Sequence, residues 1–278
     1  MLQDIHPNKF DNQFKKIEPK DTDFIMLFEN DQLLMKLTDN SYSFTNIADI
    51  KTIDSNIISE SIYLFSLNNT AFFCAFHPIK QNESLKYIKA IELREILPEW
   101  MTFAAATAGH LANWYTTNKF CGRCASKMSF NKNERSLHCK KCGLIRYPNI
   151  NPAVIIGITD DEKILLTRYS DRPYKKLSLV AGYTEIGETL EDCIKREVME
   201  EVGLSVKNII YYKSQPWAFS QSLLMGFFAE LDGSSVVTID KRELSEANWY
   251  TRDEIPPCES SLSLTNEMIE VFRTQKRI

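Results

Sequence analysis

Gly182-Tyr-Thr-Glu-Ile-Gly187-Glu-Thr-Leu-Glu-Asp-Cys-Ile-Lys-Arg196-Glu-Val-Met-Glu-Glu201-Val-Gly-Leu204 puts Glu197, Glu200 and Glu201 at i, i+3 and i+4 of one helix. Carboxylates at that spacing share a face and repel, which costs helix stability unless a cation compensates them. A hard divalent cation with oxygen ligands, magnesium or manganese, fits best, because such ions bridge a few carboxylates to substrate phosphates. A solvated acidic face is the competing reading.

The same stretch explains how the helix is built. Thr189 can cap it, with Asp192 three residues on, while Leu190, Ile194 and Val198 supply the buried face. Gly203 suits a left-handed C-terminal cap, and Leu204 can fold back against the helix. Glu188 and Arg196 are expected to pair and fix the loop that Gly182 and Gly187 keep compact. The pattern resembles the box of the Nudix hydrolases at every defined position. From average residue usage, seven fixed identities and two aliphatic positions arise by chance in about one chain in 10⁷.

The chain has 278 residues, 44% of them hydrophobic, and a formal charge of −4. That allows a core of ordinary size and two domains, and argues mildly against nonspecific coating of DNA. The first residues have neither the basic start nor the apolar run of a signal peptide, and no apolar run approaches the ~20 residues that cross a bilayer. A cytoplasmic chain with no membrane segment is the expectation. There cysteine clusters more often bind metal than form disulfides.

Cys121-Gly-Arg-Cys124 and Cys139-Lys-Lys-Cys142 are two C-x2-C knuckles separated by 14 residues. Four thiolates with no open position make a structural zinc ribbon. A redox dithiol would explain only one knuckle. His138 could replace a ligand but is not needed. Cys74, Cys193 and Cys258 read as packing residues.

Three parts follow: an N-terminal α+β domain over 1–118, the four-cysteine ribbon over 119–148, and a C-terminal domain over 149–278. Residues 24–28, 32–37 and 61–76 read as strands, the last turning at Asn68-Asn69, and 84–97 and 98–118 as helices, with Pro98 starting the second. Strands are expected at 153–159, 163–168, 177–180, 206–212, 223–231 and 247–250, and a last helix at 264–274.

Downstream of the box, Ser214-Gln-Pro-Trp-Ala-Phe-Ser-Gln-Ser222 resembles the SQPWPFPxS array of the NADH pyrophosphatase (NudC-type) subfamily. That subfamily has the same order of N-terminal domain, four-cysteine ribbon and Nudix domain. Recognisable motifs begin near Leu93. Ala218 and Ser220 replace two prolines of the array, Ala125 replaces the usual glycine after the second cysteine, and Ile186 stands where proline is common. In the array, Trp217 and Phe219 offer flat faces for a base or nicotinamide ring, and Gln215 and Ser222 offer hydrogen bonds.

The resemblance implies a C-terminal Nudix α/β/α sandwich with a mixed sheet, and a homodimer. It implies hydrolysis of the pyrophosphate bond of NADH or NAD+ to nicotinamide mononucleotide and AMP, with NAD-capped RNA as a possible further substrate. Gln215, Pro216, Trp217, Ala218, Phe219, Ser220, Gln221 and Ser222 become substrate contacts. By the same resemblance, Tyr183 takes the place of a stacking phenylalanine, and Tyr147, Glu134 and Arg94 align with further contacts, which would place the nucleotide partly at a domain or subunit boundary. Glu188, Arg196, Glu197, Glu200 and Glu201 carry catalysis. Glu197 and Glu201 are the first metal ligands, with Glu200 a third ligand or the general base, and the resemblance adds the Ala181 carbonyl and Glu243. Glu246 competes with Glu243, and Glu200, Glu201 and Glu243 all stay open as the base. Two other readings stand beside this one: a Nudix hydrolase for another nucleoside diphosphate such as ADP-ribose, and an RNA-binding or nucleotide-sensing protein using the ribbon and Lys140-Lys141.

Overall fold

A computed structural model describes residues 1–39, 41–89, 91–170, 176–258 and 262–275. By Cα proximity the chain forms two compact units, one of residues 2–149 with Ala218–Ser220, the other of Met1, 150–217 and 221–278.

In the first unit, β1 (Phe10–Asp11), β2 (Phe24–Glu29), β3 (Gln32–Thr38), β4 (Ser41–Phe44), β5 (Ile62–Leu67), β6 (Thr70–Ala75) and β7 (Leu85–Lys89) form one sheet among the described residues. Its order is β1-β5-β6-β2-β3-β4, with β7 also on β3. Short helices α1 (Ile47–Lys51) and α2 (Ser55–Ser59) cover one face, where Ile47, Ile50 and Ile57 pack on Ile25, Leu27 and Leu34. Asn46 and Asp49 make a complete capping box at the start of α1. Beyond α3 (Leu93–Ile96), helix α4 (Glu99–Thr117) starts directly after Pro98 as expected. It meets the sheet through Phe103, which packs edge-on against Phe10, itself against Phe65.

The expected turn at Asn68-Asn69 is present between β5 and β6, with Asn68 in the left-handed conformation at φ 54°. The expected helix over 84–97 is not. Residues 85–89 form β7, antiparallel to β3 from Leu85↔Lys36 to Lys89↔Gln32, and Ala90 lies outside the described residues. Leu85 and Tyr87 alternate inward, so the segment follows a period of two and satisfies the backbone edge of β3.

The ribbon strands β8 (Ser129–Phe130), β9 (Leu137–His138) and β10 (Ile145–Arg146) form a small antiparallel sheet in the same unit. Arg135 anchors it, donating from Nη2 to the carbonyls of Asn12, at 3.1 Å, and Leu64.

The second unit is built on β11 (Asn151–Asp160), β12 (Lys163–Tyr169), β13 (Val180–Tyr183), β14 (Val206–Trp217), β15 (Ser222–Leu231) and β16 (Leu244–Thr251), in the order β14-β15-β11-β12-β16 with β13 on β11. The sheet is mixed, as expected: β11 and β15 run parallel and the other pairs antiparallel. Helix α5 (Leu190–Val202) covers one face and α6 (Leu264–Thr274) the other. Alternation along β11 explains the two layers, since Val154, Ile156 and Ile158 join the α5 core while Ile155 joins the α6 core. The strand expected at 177–180 starts later and runs to Tyr183, and β14 runs five residues past its expected end, to Trp217.

Candidate active site

Helix α5 presents the glutamates because its other side is fully committed to the core. Cys193, Ile194, Val198 and Val202 are all buried, and a fully buried aliphatic side chain contributes about 1.5–3 kcal/mol. Thr189 caps the helix, accepting the Asp192 N–H at 3.1 Å while its own hydroxyl donates to the Asp192 carboxylate at 2.8 Å. Asp192 therefore satisfies the cap hydroxyl, where a full capping box would have it accept the Thr189 backbone N–H. Gly203 ends the helix at φ 69°, pressed against Thr238.

The expected Glu188–Arg196 pair is bidentate, with Nε to Oε1 at 2.8 Å and Nη2 to Oε2 at 2.9 Å. Arg196 also donates to the Tyr183 carbonyl at 3.0 Å, and Glu188 accepts the Glu185 N–H at 3.0 Å. The loop is thereby tied to the helix at both ends. Arg196 holds the Glu188 carboxyl down to about 2. Its remaining nitrogen, Nη1, bridges Glu197 Oε1 at 2.7 Å and Glu200 Oε2 at 3.0 Å.

The three glutamates sit at different depths. Glu201 is 2% exposed and Glu200 open to solvent, with Glu197 between them. Burial pushes the Glu197 carboxyl up against the opposing pull of Arg196, and the charges of Glu200 and Glu243 push the same way. That places Glu243 in the electrostatic field of the cluster, on the turn before β16. Glu246 lies on β16 itself, directly opposite Arg168 of β12, with which it makes an ion pair. Ala181 lies on β13 opposite Ile155, one residue before Gly182. The donor set is hard oxygen throughout, the chemistry that magnesium or manganese requires.

The array occupies a hairpin. Gln215, Pro216 and Trp217 end β14, Ala218, Phe219 and Ser220 form a 3₁₀ turn, and Gln221 at φ 56° leads into Ser222 at the start of β15. Asn151 N–H holds the Gln221 carbonyl at 2.8 Å. Pro216 and Ser220 are exposed, and Trp217, Ala218, Phe219 and Gln221 are partly so. Gln215 departs from its expected role. Its side chain is wholly buried, donating to the Leu262 carbonyl at 2.9 Å and accepting the Leu264 N–H at 2.7 Å. An amide so engaged brackets β14 to the start of α6 and does not face a ligand. Ser222 is also buried, and its hydroxyl lies 3.3 Å from that of Tyr183, whose ring is half exposed. Within the first unit, Arg94 stacks over the Phe219 ring at 5.4 Å.

On the ribbon, the Sγ atoms of Cys121, Cys124, Cys139 and Cys142 lie within 4.8 Å of one another, with Cys121–Cys142 and Cys124–Cys139 both at 3.5 Å. A tetrahedron of 2.3 Å Zn–S bonds has edges of about 3.8 Å, so the four sulfurs fit one zinc. His138 is not in this group, which among the described residues is the one cluster of three or more such ligands this close. The N–H and hydroxyl of Ser126 draw the Cys124 thiol down to about 6. Glu134 Oε1 collects Asn131 Nδ2 at 3.1 Å, Ser136 Oγ at 2.9 Å and Tyr147 Oη at 3.3 Å. Asn131 and Ser136, which the sequence did not single out, thus join Glu134 and Tyr147 in one hydrogen-bonded group. Their signal is a polar turn in which Asn131 also accepts the Asn133 N–H.

Residues 149–273 match the model of the NUDIX domain, and residues 116–147 that of the NADH pyrophosphatase zinc ribbon domain. The chain is 42% identical over 160 residues to proteins named NAD-capped RNA hydrolase NudC from Escherichia coli O9:H4 (strain HS) and Shigella boydii serotype 18, a match covering 58% of this chain and 62% of each relative. The chain thus spans somewhat under two thirds of the length of the curated relatives it matches. A crystal structure of a Nudix hydrolase from Nitrosomonas europaea is 22% identical with a TM-score of 0.46, over 56% of this chain and 90% of that one. By the two family models, residues 149–273 are a NUDIX domain, and an NADH pyrophosphatase zinc ribbon domain stands ahead of it at residues 116–147.

Proposed function

We propose that this protein hydrolyses the pyrophosphate bond of NADH or NAD+ to nicotinamide mononucleotide and AMP, and removes the same nucleotide from the 5′ end of NAD-capped RNA. The observation that carries the reading is the α5 cluster: Glu197, Glu200 and Glu201 on one helix, beside an arginine that Glu188 holds by two bonds. The names of the 42% identical relatives support the choice of nucleotide. Ala218 and Ser220 stand where the subfamily array has proline, which frees two backbone positions of the hairpin.

Glu197, Glu200, Glu201, Glu243 and the Ala181 carbonyl would hold magnesium or manganese, which supplies charge neutralisation at the diphosphate and an acidified water. The chain's own residues do the rest. Glu188 keeps Arg196 charged and in place, and Arg196 limits the repulsion between Glu197 and Glu200. Glu200, the exposed carboxylate, is the one best placed to exchange a proton with solvent. Tyr183, Trp217 and Phe219 offer ring faces, and Pro216, Ala218, Ser220, Gln221 and Ser222 shape the hairpin that carries two of them. Glu134, Tyr147 and Arg94 belong to the same substrate reading. Zinc at the four cysteines is structural. No helix among the described residues is long and apolar enough to cross a membrane. The reading includes a cytoplasmic homodimer.

The test is product analysis with NADH, NAD+, ADP-ribose and NAD-capped RNA under one set of metal conditions. Mononucleotide products from NADH or NAD+ are expected, and Glu201→Gln should lose at least about 100-fold in turnover while remaining folded. Preferential cleavage of ADP-ribose would favour a different nucleoside diphosphate. Full activity in Glu201→Gln would remove Glu201 from the metal site.

A further inference from the structure

Between Lys119 and Pro148 the chain has eight lysines and arginines and one carboxylate, a formal +7 against −4 for the whole chain, which leaves −11 for all other residues. Arg135 is spent on backbone carbonyls, and the one carboxylate, Glu134, is engaged with Asn131, Ser136 and Tyr147. The other seven cations, Lys119, Arg123, Lys127, Lys132, Lys140, Lys141 and Arg146, are all exposed. None of them has an ion-pair partner among the described residues. Elsewhere several cations are paired, as in Lys15–Asp11, Lys36–Asp49, Lys207–Asp232 and Arg252–Glu162. Four thiolates with one Zn²⁺ would subtract only two charges.

The fold concentrates this charge. Arg123 and Lys140-Lys141 are the inner residues of the two knuckles, and the four sulfurs lie within 4.8 Å of one another, so the knuckle tips lie side by side. Arg146 joins them, its guanidinium 3.7 Å from where a side chain on Gly122 would begin. Beside the tips, Phe120 is 66% exposed, next to Lys119 and paired with Lys127 in an isolated antiparallel β-bridge. Unpaired cations around an open aromatic ring match the phosphates and bases of a single strand.

We propose that the knuckle tips, through Arg123, Lys140, Lys141 and Arg146, grip the phosphate backbone of a single-stranded RNA, with Phe120 as a stacking face. The inference deepens the proposed function, and rests on it for the choice of RNA as the strand. It makes the ribbon a binding surface as well as a folding element, and separates RNA substrates from the free dinucleotide.

The test is fluorescence anisotropy of an uncapped, fluorescein-labelled 12-nucleotide single-stranded RNA with the zinc-loaded full chain. Four phosphate contacts give a slope of about 2.8 in log Kd against log salt, or about 50-fold weaker binding from 50 to 200 mM salt. The triple variant Arg123→Ala, Lys140→Ala, Lys141→Ala should keep its zinc and bind with a slope of about 0.7, a change of about 3-fold over that range. Should the triple variant lose zinc, Lys140→Ala and Lys141→Ala alone should each lower the slope by about 0.7. An unchanged slope, or equal affinity for a duplex DNA of the same length, overturns the proposal. Hydrolysis of free NADH by the same variants should be unchanged. An inactive wild type that still binds RNA in this way would instead defeat the proposed reaction.

Discussion

Gly182 is glycine because of what it faces. A Cβ built there would lie 1.9 Å from Glu197 Cδ, so the carboxylate occupies the space that any other residue at 182 would need. The obstructing atom is the end of a flexible side chain, which can swing away while the backbone stays. Gly182→Ala should therefore leave the fold nearly intact, within about 1–2 kcal/mol, and cost about 100-fold in turnover, since a misplacement of one ångström has that effect. Thermal melts and steady-state rates on the same preparation check both halves. A variant that loses stability and keeps its rate would show that Glu197 is not held for chemistry. The same scale separates Glu200 from Glu201: adjacent and identical in type, one is exposed and the other buried.

The two zinc knuckles are one element used twice. Ala125 N–H bonds the Cys121 carbonyl at 2.8 Å and Gly143 N–H the Cys139 carbonyl at 2.9 Å, and each knuckle closes with a further bond, Cys121 to Ser126 and Cys139 to Leu144, both at 2.8 Å. Both turns need a left-handed residue, met by Gly143 at φ 74° and by Ala125 at φ 58°. Alanine is strained there, by about 1–2 kcal/mol, part of which glycine gives back as unfolded-state entropy. Ala125→Gly should stabilise the zinc-loaded protein by about 1 kcal/mol, seen as a higher denaturation midpoint. A lower midpoint would mean that the alanine methyl makes packing worth more than its strain. Residues 84–97 show the opposite case, where local pattern misleads. Leu85, Ile88 and Leu93 have spacings a helix can use, but the open edge of β3 recruits 85–89 into the sheet.

For the whole molecule, the ribbon belongs to the same compact unit as the N-terminal sheet, and its Arg135 reaches the carbonyls of Asn12 and Leu64. Its hydrophobic content is small, with Met128 and Leu137 buried, so the metal has to supply most of its folding energy. Chelation, or Cys139→Ser, should remove the zinc and lower the melting temperature by more than about 5 °C. Elemental analysis of the purified protein and calorimetry check this. A Cys139→Ser variant with full zinc and unchanged melting would displace Cys139 from the ligand set.

Sequence alone determined the acidic helix, its caps, the Glu188–Arg196 pair and the four-cysteine group, because each depends on residues at short, fixed spacings whose geometry the backbone repeats everywhere. The alternating strands of the second unit were legible for the same reason. Only the tertiary structure decided that Gln215 brackets α6, that Glu246 is taken by Arg168, that Glu201 is buried beside an exposed Glu200, and that Arg146 comes up beside Gly122 of the first knuckle. These depend on which neighbours arrive from far along the chain, and burial and charge proximity exist only once those neighbours are in place.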